Sequence, residues 1–280
     1  MRISCLQTNP KKSIDDALKE ALELANLAIK SKAEFLFLPE FCGGLISDGA
    51  HYYPPNDKEE EHLFLNEFKK FCYKNSIWCL IGSIAIQSEN NKIFNRSYII
   101  NNKGNIISKY DKIHMFDINL SAVERYHESG SYRPGSSAVL AQTTWVWMGL
   151  SICYDLRFPT LYRTLAQAGA GVLVVPSAFA QTTGEAHWHV LLRARAIETG
   201  CFVIAAAQTG EHSGSGRKTY GHSLIVDPWG QVILDAGQVP GLYFAKLDLS
   251  SVDKARARMA SLQHDRPFEV RYYPSHDKSD

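Results

Sequence analysis

The sequence is short of the features that would mark a membrane, secreted or nucleic-acid-binding protein. Its longest apolar runs, such as Cys201-Phe202-Val203-Ile204-Ala205-Ala206-Ala207, fall far below the roughly 20 residues that a bilayer-spanning helix needs. The opening Met1-Arg2-Ile3-Ser4-Cys5-Leu6-Gln7 has no charged segment leading into an apolar core, so no secretory signal is expected. The six cysteines, at positions 5, 42, 72, 79, 153 and 201, form no CxxC pair and no regular framework. Reduced thiols in a cytoplasmic protein are the expectation. An excess of charge of one sign is missing too: 30 Lys and Arg against 29 Asp and Glu leave +1. With no basic stripe interleaved with aromatics, nucleic acid is not an expected partner.

What is present is the composition of an ordinary globular protein, 45% hydrophobic and 21% charged. At 280 residues, folding can remove about three-quarters of the unfolded surface from water, so neither disulfides nor a metal are needed for stability. No linker interrupts the chain. Residues 1–267 read as one domain, followed by a polar tail at 268–280.

The periodicity alternates between strand and helix. A strand is predicted over 3–8, a helix from Ser13 with Asp16 as its capping partner, and a strand over 35–38 ending in Pro39-Glu40. Strand, helix and strand at this spacing make a βαβ unit with parallel strands. A helix over 59–75 leads to strands over 78–86, 96–100 and 106–110, the last two joined by Asn101-Asn102-Lys103-Gly104-Asn105. Residues 114–134 show no convincing periodicity, and a loop of that length usually shapes a pocket. The second half repeats the pattern: strand 145–152, helix 159–168, strand 171–175 ending in Pro176-Ser177, helix 185–199 stopped by Gly200, and strand 201–208. A hairpin through Asp227-Pro228-Trp229-Gly230, a strand over 242–247 and a helix to about 262 complete the series. Two similar halves suggest an α/β fold with two sheets face to face and helices outside, a four-layer α-β-β-α sandwich. A single doubly wound sheet satisfies the same alternation.

Three residues combine into a chemistry. Glu40 follows a buried strand and a proline, Lys112 closes Lys109-Tyr110-Asp111-Lys112, and Cys153 sits between the strand Gly149-Leu150-Ser151-Ile152 and Tyr154-Asp155-Leu156-Arg157-Phe158-Pro159. Each sets a reactive group at or just beyond the end of an apolar strand. A thiol beside a base and a fixed cation can attack a carbonyl and hold the resulting oxyanion. At a strand-to-helix elbow the first helical amides are expected to lower the thiol pKa. Taken singly, each residue has a plainer reading: a buried Cys packs as a small apolar group, and an isolated Glu or Lys at a strand end is a solvated charge. Cys5, Cys72, Cys79 and Cys201 keep that reading, whereas Cys42 lies near enough to Glu40 to line a pocket. His114, or His187 and His189, would serve a Cys-His hydrolase instead. His187 and His189 are two apart and point to different faces of a helix, a poor metal pair. No metal and no cofactor are expected.

Together the three stretches resemble the nitrilase superfamily of carbon–nitrogen hydrolases over nearly the whole chain, to about residue 267. The resemblance falls on Glu40 in Leu-Pro-Glu-Phe, Lys112 in Tyr-Asp-Lys-Ile-His and Cys153 in Cys-Tyr-Asp-Leu-Arg-Phe-Pro, with a second glutamate matching Glu128 in Tyr-His-Glu-Ser-Gly. Pro176-Ser177-Ala178-Phe179, Ala186-His187-Trp188, the run from Leu191 to Glu198 and Tyr220-Gly221-His222-Ser223 are most similar to the deaminated glutathione amidase branch. The resemblance implies the α-β-β-α sandwich, homodimers or larger homo-oligomers, and a cysteine-dependent amidase acting on a small-molecule amide through a thioester. Glu40 would be general base, Lys112 and the Tyr154 backbone N–H would hold the oxyanion, and Glu128 would orient Lys112. Arg157, Phe179, Tyr126 and Arg195 are candidate substrate-binding residues, with His127 and Arg133 also near the pocket. A structural ion pair of Arg157 with Asp155, or of Arg195 with Glu198, is the competing reading. Deaminated glutathione, cleaved to 2-oxoglutarate and cysteinylglycine, is the implied substrate. An ω-amidase acting on 2-oxoglutaramate and a catalytically silent interaction protein are the alternatives.

Overall fold

The computed structural model describes residues 1–46, 53–119, 125–212 and 216–273. Part of the loop expected over 114–134 and most of the tail expected over 268–280 therefore lie outside the described residues.

The first half builds one sheet and its helical cover. Strand β1 (Arg2–Gln7) is followed by helix α1 (Ile14–Lys30) and strand β2 (Phe35–Phe37). Then come β3 (Asn56–Asp57), α2 (Leu63–Asn75), β4 (Trp78–Gln87), β5 (Ile93–Ile100) and β6 (Ile106–Asp111). The start of α1 is set as expected, with the Ser13 hydroxyl accepting from the Asp16 N–H at 3.1 Å. Residues 114–134 are not wholly irregular, because β7 (Asp117–Asn119) and β8 (Arg125–His127) pair as a small antiparallel ribbon. Strands this short carry too few alternating positions to register as periodic.

The second half adds β9 (Leu140–Gln142), β10 (Trp147–Leu150), α3 (Pro159–Gln167), β11 (Val172–Val174), α4 (Gln181–Thr199) and β12 (Phe202–Ala205). Strands β13 (Thr209–Glu211), β14 (Lys218–Tyr220), β15 (Leu224–Val226), β16 (Val232–Asp235) and β17 (Gly241–Lys246) precede α5 (Ser250–Arg258). Helix α4 begins four residues before the expected start, at Gln181, and ends as expected on Gly200 in the left-handed conformation.

Strand order is β17-β1-β2-β4-β5-β6 in one sheet and β16-β15-β12-β11-β10-β9 in the other. Each has a parallel core of three strands, β1-β2-β4 and β10-β11-β12, flanked by antiparallel partners. The side chains of those cores show the layering. Phe35 and Phe37 alternate with Leu36 and Leu38, and the two sets belong to different buried clusters. Phe35, Phe37, Ile3 and Cys5 meet Met148, Leu150, Val172, Val174 and Ile204 between the sheets. Leu36 and Leu38 pack under α1 and α2, and Leu173, Val175 and Val203 pack under α3 and α4. Strands buried on both faces need apolar residues at every position, which is why they read as unbroken runs. The molecule is the four-layer α-β-β-α sandwich, and its two central strands, β2 and β11, end at the same place.

Candidate active site

Strand β2 runs out through Leu38 into Pro39-Glu40, and the turn that aims Glu40 is held by β4. A bulge between Ile81 and Ile84 brings Gly82 under that turn. A methyl group on Gly82 would lie 2.0 Å from the Leu38 carbonyl oxygen and 2.4 Å from that of Pro39. The Ser83 hydroxyl accepts from the Phe41 N–H at 3.0 Å, and Phe41 takes a left-handed φ of 54°. Gln208 donates to the carbonyls of Glu40 and Phe41, at 3.1 Å each.

The Glu40 carboxylate is 1% exposed and fully engaged. Oε1 accepts from Asn95 Nδ2 at 2.8 Å and from Lys112 Nζ at 3.2 Å, and Oε2 accepts from the Ala178 N–H at 2.8 Å. Ala178 follows β11, so the two Pro-ended strands whose likeness is visible in the sequence meet through this bond. Lys112, the first residue after β6, also donates to both oxygens of Glu128 at 2.9 Å. Glu128 Oε2 accepts in addition from the Phe116 N–H at 2.6 Å.

Cys153 follows β10 with φ 47°, a backbone conformation that costs about 1–3 kcal/mol at a residue other than glycine. It opens a 3-10 turn, Cys153–Arg157, and the expected helix follows as α3 from Pro159. The Asp155 carboxylate, fully buried, binds this elbow to its surroundings. It accepts from the Ile152 N–H at 2.9 Å, the Tyr110 hydroxyl at 2.7 Å, the His114 N–H at 3.0 Å and His114 Nδ1 at 2.7 Å. Its bonding capacity is spent there, and no Arg157 pair forms. Tyr154 occupies the first turn of the elbow, where backbone N–H groups have no acceptor within the turn.

Electrostatics in this cluster follow from burial and a single cation. Burial and the neighbouring Glu40 carboxylate push the Cys153 thiol well above its ordinary range, although Lys112 pulls the other way. The expected lowering by helical amides is therefore overturned: desolvation and a nearby anion outweigh a short turn's dipole. Burial alone would discharge Lys112, but Glu128, Glu40 and Cys153 hold its ammonium well above the usual lysine value. Burial raises Glu128, with Lys112 opposing and Glu40 reinforcing the shift.

These groups line one cleft of about 390 Å³, together with Phe41, Phe116, Tyr154, Ala178, Phe179, Ala180 and Thr183. The structure thus brings together Glu40, Lys112, Glu128, Cys153, Tyr154 and Phe179. Arg157 stands at the edge of the cleft, and the others lie outside it. Arg195 is 4% exposed and donates to the Leu156 carbonyl and to Glu198, the structural pairing that competed with substrate binding. Tyr126 packs at a tilt against Phe116, 4.6 Å between ring centres, and lines no part of the cleft. Arg133 faces Phe94 and Glu89, and His127 lies beside Asp117. Cys42 turns into the core under α1 and α2, its Sγ–H donating to the Ser83 carbonyl. Arg157 lies over the rings of Tyr154 and Phe179, at 5.9 and 5.5 Å, and reaches His187 at 3.3 Å. Asn95, Gln208 and Thr183 escaped the sequence reading, since nothing in their local context separates them from ordinary polar residues, and Asp155 entered it only as an ion-pair partner for Arg157. Among the described residues no helix is long and apolar enough to cross a membrane.

The chain is similar to known proteins over most of its length. The carbon–nitrogen hydrolase family matches residues 2–257. The chain is 37% identical over 272 residues to a deaminated glutathione amidase of Dictyostelium discoideum, covering 94% of this chain and 93% of that protein. It is 39% identical over 254 residues to the human deaminated glutathione amidase, covering 89% and 77% respectively. Among solved structures it superposes on the C. elegans NitFhit protein with a TM-score of 0.85 at 32% identity, spanning 95% of this chain and 65% of that longer one. On Saccharomyces cerevisiae Nit3, a member of branch 10 of the nitrilase superfamily, the TM-score is 0.80 at 27% identity, covering 92% and 94%.

Proposed function

The chain belongs to the carbon–nitrogen hydrolase family and hydrolyses amide bonds, and from that premise we propose that it cleaves deaminated glutathione to 2-oxoglutarate and cysteinylglycine, with Cys153 as nucleophile. The observation that carries the reading is the convergence of Cys153, Glu40, Lys112 and Glu128 on one cleft. Relatives named as deaminated glutathione amidases at 36–39% identity support the substrate.

In this reading the thiol is protonated at rest, because burial and Glu40 raise its pKa, and Glu40 is the base that takes its proton as sulfur attacks the amide carbonyl. The oxyanion is held by the Lys112 ammonium and the Tyr154 N–H; one such donor is typically worth about 10²–10³ in rate. Glu40 returns the proton to the departing amine, leaving a thioester on Cys153. Water then loses a proton to Glu40 while attacking the thioester carbonyl, and the thiol takes it back as the carboxylic acid leaves. Glu128, paired to Lys112 through both oxygens, keeps the ammonium charged and aimed. A base so used must stay within hydrogen-bond reach of each proton it moves, and the bonds from Asn95 and the Ala178 N–H fix it there. Arg157, over two rings of the cleft wall, supplies a cation for the 2-oxoglutaryl carboxylate.

Purified protein offered deaminated glutathione and 2-oxoglutaramate side by side tests the substrate. Preferred turnover of the first is expected; comparable or faster turnover of 2-oxoglutaramate makes the chain an ω-amidase, and turnover of neither moves the substrate to another linear amide. We further propose a homo-oligomer acting in the cytoplasm. The exposed apolar residues of the C-terminal segment, Phe268, Tyr272 and Tyr273 at 84–88% exposure, support the first. Six free cysteines suit a reducing compartment. Sedimentation of the full chain tests the assembly, a monomeric mass being the contrary result.

A further inference from the structure

Away from the cleft, three elements bring two imidazoles and a carboxylate to one point. His189 lies on α4, His222 two residues beyond β14, and Asp235 at the end of β16. Asp235 Oδ2 is 2.9 Å from His189 Nε2, and its Oδ1 is 2.8 Å from His222 Nδ1. One nitrogen of each ring and the carboxylate oxygen all fall within 4.8 Å of one another.

We propose that His189, His222 and Asp235 form a binding site for a transition-metal dication of the zinc class. Two neutral imidazoles and one carboxylate are the donor types that such an ion takes, and three protein ligands leave a position for water. Since a carboxylate only accepts, each neutral ring now turns its N–H toward Asp235; on binding, the ion takes that nitrogen and the ring proton shifts to the other nitrogen of the same ring. Ligands about 2.0–2.2 Å from zinc stand roughly 3.4 Å apart, so the two Asp235 contacts open slightly while separations toward 4.8 Å close, changes that side-chain rotation supplies. Among the described residues Asp235 is paired with no lysine or arginine, so nothing cationic already fills the position.

The site is also pre-set. His222 holds a left-handed φ of 52°, its N–H donating to the Gly237 carbonyl and its own carbonyl accepting from Trp188 Nε1 at 2.8 Å. Its ring stacks on Tyr220 at 4.2 Å, and Asp235 Oδ1 is fixed by the Gly237 N–H at 2.9 Å. Strain held in place by so many contacts is the mark of a position selected for something beyond packing. A metal here ties α4 to two strand ends. It acts on the cleft wall as well, since Trp188 packs on Phe179 at 5.0 Å and the Tyr220 N–H donates to the Phe179 carbonyl at 2.9 Å. The separation of these ligands in the chain explains why the sequence shows no metal pair: His189 pairs with residues 33 and 46 positions away, not with His187.

The test uses the full chain carrying Cys153→Ala, so that the reactive thiol does not take the metal, stripped with chelator and titrated calorimetrically with zinc chloride. One zinc per chain and a raised melting temperature are expected. His189→Gln and Asp235→Asn, both conservative changes at positions about a third exposed, each weaken binding tenfold or more and cancel the thermal shift. Cobalt(II) bound to the parent protein gives the visible bands of a low-symmetry N,O site, lost in both variants. No zinc uptake, or uptake that both variants retain, overturns the proposal. Because amide hydrolysis is not read, the result stands apart from the catalytic assignment.

Discussion

At the scale of single residues, the cluster around Cys153 makes predictions of definite sign. Cys153→Ala abolishes turnover while leaving the fold intact; near-normal activity would remove the thiol from the mechanism. Glu40 raises the thiol pKa and Lys112 lowers it. In Glu40→Gln the thiolate absorbance therefore rises at lower pH than in the parent, and in Lys112→Met at higher pH. Either shift in the reverse direction would mean that the charges around sulfur are not those described. Lys112→Ala should lower kcat by about 10²-fold or more while changing KM little, as expected for a group whose contact forms in the transition state. A rise in KM alone would make it a binding residue. The elbow depends on Asp155, which accepts four hydrogen bonds in a fully buried site. Those long-range bonds are why its role lay outside the reach of the sequence, where it reads only as a partner for Arg157.

Elements act by bringing these residues to their places. Gly82 is the element-level hinge of the site, because its missing side chain is what admits the Leu38-Pro39 carbonyls. Gly82→Ala pushes the Glu40 turn outward, and a displacement of about 1 Å at a catalytic group can cost about 10²-fold; kcat and a urea melt measured together should both fall. A normal kcat would show that the turn has slack. Helix α1 offers a contrasting case that the sequence resolves fully. Its Ser13 cap is visible from Asp16 three residues on, and Ser13→Ala should cost about 1 kcal/mol of stability without altering turnover. The start of α4 was harder to locate. Gln181-Thr182-Thr183-Gly184 reads as loop by composition, yet Gly184 is helical and buried against Tyr220, whose ring carbons would meet a Cβ at 2.4 Å. Tertiary packing there overrides local propensity.

For the whole molecule, burial of ionisable groups sets the response to pH. His62 and His212 are held neutral by burial, which lowers both from the ordinary 6.5 to about 4. Between those values the unfolded chain binds protons that the native state refuses, so stability declines as pH falls from about 6.5 to 4 and is unaffected by these groups above that window. A shift of that size is worth about 3 kcal/mol for one histidine. His62→Leu should therefore flatten the acid limb of a stability-versus-pH curve; an unchanged limb would mean that His62 stays solvated. The same burial gives the sandwich its strength. Phe35 and Phe37 fill the space between sheets, stacked at 4.6 Å, and truncating either to Ala should cost about 3–5 kcal/mol.

Read from the chain alone, the alternation of apolar strands and amphipathic helices determined an α/β fold but satisfied a single doubly wound sheet as well as two facing ones. Three strand-end motifs marked the acid, the amine and the thiol, because each announces itself in a few consecutive residues. Only the tertiary structure decided what depends on distance. It made the thiol's surroundings raise its pKa rather than lower it, because desolvation is a property of the assembled interior. It withdrew Arg195 and Tyr126 from the cleft, gave Asn95 and Asp155 their partners, and set His189 beside Asp235. Such contacts join residues tens to more than a hundred positions apart, and no local pattern records them.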